Sequence, residues 1–213
     1  MSDKEKEKKQ ETNISRRSFL KGVGTGTVAA TVAPAILVGD AETAEAQTDG
    51  AVSTAKIQLN INEKLYEIEV EARTTLLTVL RDGIDTGGNN VDLTGAKLIC
   101  DRGECGGCTV LVDGKAVYAC MMLAMDVQGK QITTVEGIAN GDDLHPVQEA
   151  FIKHDAMMCG FCTPGFIVSS VALLNENKKP TSAEIKDGLS GNTCRCGTYP
   201  FIFDAVETAS EKM

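Results

Sequence analysis

The chain has 213 residues, of which 42% are apolar and 24% charged, with a formal net charge of −9. That length allows one large domain or two small ones, and the mixture is that of ordinary globular protein. The acidity argues against a nucleic-acid partner, whose phosphates demand basic surface. There is no Trp and only 4% of residues are aromatic, so two small cores of Val, Ile, Leu, Ala and Met would be marginal alone. Eight cysteines are the candidates for stapling them.

The N-terminus reads as an address. A Lys/Glu-rich lead over 1–14 precedes Ser15-Arg16-Arg17-Ser18-Phe19-Leu20-Lys21. Paired arginine followed by Phe-Leu-Lys looks like a twin-arginine export signal. A weakly apolar stretch covers 22–39, and Ala44-Glu45-Ala46 offers a small-x-small cleavage site before Gln47. Four glycines and Pro34 make that stretch a poor hydrocarbon-spanning helix, so no stable membrane span is expected. A signal peptide over 1–46 sends the mature protein to the periplasm. Seven basic and seven acidic residues lie within it, so its removal leaves the net charge at −9. Twin-arginine export moves folded proteins, which suits a cofactor inserted in the cytoplasm.

A polar linker over 47–54 leads into a first domain over 55–133. Ile57, Leu59 and Ile61 alternate with Lys56, Gln58 and Asn60. Asn62-Glu63-Lys64 turns the chain, and Tyr66, Ile68 and Val70 alternate again, which predicts a β-hairpin. Leu76, Leu77, Val79 and Leu80 predict a short helix over 75–81. Asp113-Gly114 between 109–112 and 116–118 predicts a second hairpin.

Cys100, Cys105, Cys108 and Cys120 follow the pattern C-x4-C-x2-C-x11-C, whose first three members have the plant-type [2Fe–2S] spacing. Each iron of such a cluster needs two thiolates, and three must come from one tightly wrapped loop. Gly103, Gly106 and Gly107 permit that wrap and let backbone N–H groups approach the sulfurs. Zinc sites favour C-x2-C pairs and commonly include His, yet no His precedes residue 145. Disulfides remain open to an exported protein.

Residues 134–145 read as a linker, and from Pro146 to the end of the chain the period is helical, giving a second domain over 146–213. Val147, Ala150 and Phe151 fall on one face. Thr163-Pro164 is read as an N-cap with proline at the first helical position, opening an apolar run over 166–174. Thr181-Ser182-Ala183-Glu184 is a capping box, and Gly191-Asn192 is read as the stop of that helix. A last helix carries Phe201, Ile202, Ala205, Val206 and Ala209. Cys159 and Cys162 form C-x2-C, while Cys194 and Cys196 form C-x-C. Thiols one residue apart can share one metal centre but do not easily pair in a disulfide. Spacing alone leaves four-thiolate zinc open for this second site.

Cys-Asp-Arg-Gly-Glu-Cys-Gly-Gly-Cys over 100–108, Cys-Gly-Phe-Cys-Thr-Pro-Gly over 159–165 and Ser-Gly-Asn-Thr-Cys-Arg-Cys over 190–196 together resemble the iron–sulfur subunits of the xanthine dehydrogenase and aldehyde oxidoreductase family. The resemblance covers about 55–210. It implies an α+β chain: a β-grasp plant-type ferredoxin domain, then an all-α four-helix domain, each holding one [2Fe–2S] cluster. It implies a large partner subunit with a molybdenum–pterin cofactor, and an FAD subunit or a cytochrome as acceptor. It places Cys196 beside the pterin, with Gln148 of His145-Pro146-Val147-Gln148 as a pterin contact; a helix-surface role for Gln148 stands beside that. His145 and His154 are read as structural. Ile99 departs from the pattern, since many relatives have Gly before the first ligand. No residue is expected to act as base or nucleophile. Substrates open at this point are aldehydes, N-heterocycles and carbon monoxide, and a free-standing two-cluster carrier is the rival reading.

Overall fold

The computed structural model describes residues 53–83 and 85–213; the expected leader over 1–46 lies outside them. Alternating side chains build the first hairpin. Strands β1 (Thr54–Ile61) and β2 (Lys64–Glu71) pair antiparallel, with Ile57, Leu59, Ile61, Tyr66, Ile68 and Val70 buried on one face. Asn62 and Glu63 both take left-handed φ, 50° and 64°, the two-residue turn that matches strand twist. Helix α1 (Leu76–Asp82) is capped by Thr75, whose Oγ1 accepts from the Thr78 N–H at 3.2 Å. It lays Leu76, Leu77, Val79 and Leu80 on the sheet's core. Strands β3 (Thr109–Val112) and β4 (Lys115–Tyr118) form the second hairpin through Asp113 and Gly114, φ 49° and 79°.

A fifth strand, β5 (Gln131–Thr133), was not expected. It fills the centre of the sheet, whose order is β2-β1-β5-β3-β4, running parallel to β1 and antiparallel to β3. Three residues with one buried Ile132 carry too little periodicity to announce a strand.

Four further helices follow: α2 (Pro146–Lys153), α3 (Thr163–Glu176), α4 (Ser182–Gly188) and α5 (Tyr199–Ser210). The chain is therefore α+β, with one mixed sheet and five α-helices among the described residues. Three local expectations change. The cap of α3 is Cys162, not Thr163, and makes no side-chain cap bond. Helix α4 has the expected Thr181/Glu184 capping box but ends at Gly188, three residues before Gly191. Phe201 points outward, 52% exposed, while Ile202, Ala205, Val206 and Ala209 are buried. None of the described helices is long and apolar enough to cross a membrane.

Two hydrophobic cores result, one under the sheet and one among the helices, and β3 serves both. Val110 and Val112 belong to the first, Leu111 to the second. Within 134–145, Asn62 brackets Thr134, its Oδ1 accepting from the backbone N–H and its Nδ2 donating to Oγ1, each at 2.9 Å. Val135 and Ile138 pack on the helical core.

Candidate metal centres

Cys100, Cys105 and Cys108 lie on the loop between α1 and β3, and Cys120 sits in a single 3-10 turn, Ala119–Met121, directly after β4. The thiols meet two by two: Cys100 with Cys105, and Cys108 with Cys120. The wrap anticipated from the glycines is present, with Gly103 and Gly106 at φ 75° and 66°. It turns peptide N–H groups toward sulfur. Gly103 donates to Cys120 Sγ at 3.3 Å, and Gly107 donates to Cys105. Burial raises the Cys100 pKa, but the N–H groups of Arg102, Glu104 and Cys105 and the Cys105 thiol outweigh it and bring the thiol to about 7. Cys108, deeper, is pushed up to about 12 by burial first and its Cys120 neighbour next. A loop rich in N–H donors, exposed at Asp101, Arg102 and Glu104 and buried from Gly106 to Cys108, is adapted to hold a thiolate-bound anion.

The second site joins two loops of the helical half. Cys159 faces Cys196, and Cys162 faces Cys194. Gly160 and Gly197, at φ 77° and 84°, turn the chain beside the ligands. Cys162 stands at the N-terminus of α3, the positive end of its dipole. Cys194 is buried; its N–H donates to Tyr199 Oη at 2.8 Å and its Sγ lies 3.0 Å from Thr198 Oγ1. Burial raises the Cys194 pKa, and the Thr198 hydroxyl and N–H more than reverse that, to about 7. Burial pushes Cys162 up to about 12, helped by Cys194. Cys159 and Cys196 are exposed.

All eight cysteines are free thiols. Among the described residues no three His, Cys, Asp or Glu side chains gather round one point. A single zinc ion needs three or four ligands converging on itself. A [2Fe–2S] cluster takes two thiolates on each of two irons, which is the two-and-two arrangement found at both sites. The residues fit that cluster.

The sites are neighbours. The Thr193 N–H donates to the Cys105 carbonyl at 3.0 Å, linking a residue beside Cys194 to a ligand of the first site. Cys105, Cys159 and Cys162 line one apolar cavity of about 210 Å³, with Ile99 and Phe161 in its wall. Gln148 is half-buried at the third position of α2. Its Oε1 accepts from the His145 N–H at 3.0 Å, completing a capping box in which His145 Nδ1 accepts from Val147 at 3.2 Å. His154 Nε2 bonds Thr208 Oγ1 at 2.8 Å. Sequence reasoning gave Thr198 and Tyr199 no role and read Asn192 as a helix stop; the signal that could have found them as site residues is their adjacency to the C-x-C pair.

Known proteins match this pattern. The family described as [2Fe-2S] binding domain matches residues 134–207. The chain is 40% identical to the aldehyde oxidoreductase iron–sulfur-binding subunit PaoA of Escherichia coli O157:H7 over 96% of its own length and 92% of that protein's. It is 45% identical to the nicotine 6-hydroxylase small subunit of Paenarthrobacter nicotinovorans over 71% of its own length and 87% of that protein's. Among solved structures, quinoline 2-oxidoreductase from Pseudomonas putida 86 superposes with a TM-score of 0.68 at 38% identity, covering 74% of this chain and 94% of that one. The paired thiols, the order of their motifs and this near-complete coverage place the chain in the xanthine dehydrogenase and aldehyde oxidoreductase family, as one of its iron–sulfur electron-transfer subunits.

Proposed function

We propose that the chain relays electrons from a molybdenum–pterin cofactor in a large partner subunit to an FAD subunit or a cytochrome, during oxidation of an aldehyde. The observation that carries this reading is the two-by-two pairing of eight thiols in adjacent sites. Bound [2Fe–2S] clusters supply one-electron chemistry. The chain's own residues hold them and aim N–H donors at sulfur.

On this reading 55–133 is a β-grasp ferredoxin domain and 146–213 a four-helix domain, joined by 134–145. The large partner covers the exposed Cys159 and Cys196. Met157, Met158 and Phe161, 51%, 71% and 51% exposed, are the apolar surface it buries there. Gln148 spends its oxygen on the α2 cap and keeps its Nε2 as a donor for the pterin edge. The aldehyde substrate is supported by the likeness to an aldehyde oxidoreductase subunit, and an N-heterocycle is the second reading, favoured by the 45% identity to the nicotine 6-hydroxylase subunit. The mature protein is periplasmic. Supporting export, the match covering 96% of the chain reaches into 1–46, where Arg16 and Arg17 lie.

Isolation of the native complex tests this reading. Molybdenum, a large second subunit and two reduced-cluster EPR signals are expected. A monomer without molybdenum would overturn the subunit role, and a colourless preparation without EPR signals would overturn the clusters. Replacing Arg16 and Arg17 by Lys should hold the chain in the cytoplasm; the exported form should begin at Gln47.

A further inference from the structure

Three consecutive residues ahead of Cys194 each bond the sheet half of the molecule. The Gly191 carbonyl accepts from Tyr118 Oη at 3.1 Å. Asn192 Nδ2 donates to the Gly106 carbonyl at 3.0 Å, and Thr193 donates to Cys105 as described. A third segment arrives at the same point. A Cβ on Gly165, in the first turn of α3, would overlap the Gly106 carbonyl and lie 3.1 Å from Asn192 Nδ2. A Cβ on Gly106 would lie 2.5 Å from the same nitrogen. Gly106 stands between Cys105 and Cys108, Gly165 follows Cys162 by three residues, and Asn192 precedes Cys194 by two. The segments that carry ligands of both sites therefore meet at one peptide carbonyl.

Hydrogen-bond accounting does not require Asn192 there. The Gly106 carbonyl already accepts from Thr109 Oγ1 at 2.6 Å and from the Thr109 N–H at 3.2 Å, and a carbonyl oxygen has two lone pairs. What the buried amide, 5% exposed, adds is a tie across the two halves. Its short side chain has a limited reach, and the absence of a Cβ on Gly106 and Gly165 is what lets the three backbones come close enough for it to span them.

We infer that Asn192 is a positioning residue which, seated against Gly106 and Gly165, fixes the separation and orientation of the two clusters and holds the Thr193–Cys105 bridge closed. The inference rests on the two-cluster reading above. Loss of the tie leaves each cluster with all four ligands but lets one site move against the other. Dipolar coupling between two reduced clusters falls with the cube of their distance, so it reads this motion directly.

The test compares the native complex with Asn192→Ala, which removes the tie, and Gly165→Ala, which wedges α3 away from it. Ser170→Ala is the control, since it deletes a buried hydroxyl that bonds Phe166 O at 2.7 Å within α3, away from the junction. In dithionite-reduced samples, pulsed EPR should give a narrow inter-cluster distance distribution for the wild type and the control. Both junction variants should keep both cluster signals and full iron, with a distribution at least twofold broader. Wild-type width in Asn192→Ala with both signals present overturns the inference. Should that variant not accumulate, Gly165→Ala decides in the same way. Amide exchange in the wild type is an independent check. The Thr193 N–H, on an exposed residue, should exchange at least a hundredfold more slowly than an unbonded surface amide; exchange at the unbonded rate overturns the inference too. If the wild-type complex itself lacks two reduced-cluster signals, the two-cluster reading falls instead.

Discussion

Cδ1 of Ile99 fills the space in which Gly107 would carry a Cβ. A β-branched residue such as Ile99, just before the first ligand, has a restricted backbone. Its backbone is not left-handed, so the departure is accommodated without strain, and the side chain roofs the loop between Cys105 and Cys108. Gly107→Ala should therefore abolish the EPR signal of the first site by displacing either Ile99 or the loop. The double variant Ile99→Gly/Gly107→Ala should recover part of that signal. Ile99→Ala alone should cost only about 1 kcal/mol, because the side chain is already 43% exposed. Quantified spins per chain check all three, and an unchanged first-site signal in Gly107→Ala refutes the packing argument.

Cys105→Ser should remove one of the two reduced-cluster signals and leave the other, with iron falling from about four to about two per chain. Cys194→Ser should remove the complementary signal. The pairing of Cys100 with Cys105 and of Cys162 with Cys194 requires this independence. Survival of both signals in either variant would show that the altered thiol is not a ligand.

Thr198 is 2% exposed and its hydroxyl lies 3.0 Å from Cys194 Sγ. Toward a metal-bound thiolate it acts as the donor, and a donor favours the more negative, reduced cluster. Thr198→Val keeps the shape and removes the donor. The midpoint potential of the second site should fall by tens of millivolts, on a scale where 59 mV is about 1.4 kcal/mol for one electron. The first site's potential should not move. Redox titration followed by EPR measures both in one sample.

His145 Nδ1 accepts the Val147 N–H, which needs the neutral ring. Burial, and then the Lys178 charge, hold its pKa below the ordinary value of 6.5. As pH falls, the unfolded chain takes up the proton first. The group's contribution is whole above about pH 6.5 and declines below it until the lowered folded value is reached. His145→Asn keeps a capping oxygen and cannot titrate in this range. Thermal melts from about pH 7.5 to 5.5 should show a steeper loss for the wild type than for the variant; parallel slopes would clear His145 of the effect.

What was legible in the sequence was what is local. Asp113-Gly114 dictates its turn through two left-handed residues, Thr181 and Glu184 cap each other across three positions, and C-x4-C-x2-C lies within one loop. What was hidden depends on partners far along the chain. Strand β5 exists because Asn60 and Ile61 pair with Gln131 and Ile132, a partnership that three residues cannot advertise. Gly191 and Asn192 look like a helix stop, yet they are held back for Tyr118 and Gly106. Cys162 takes the cap position expected of Thr163 because the ligand loop runs straight into α3.

Strand β3 gives its odd and even residues to different cores, Val110 and Val112 to one and Leu111 to the other. A wall common to two rooms cannot fall in one of them alone. The described residues belong to one compact unit, and loss of either core strips one face of the strand that the other core uses. Heat or denaturant should therefore take both metal sites down in a single cooperative step, with the colour of both lost together.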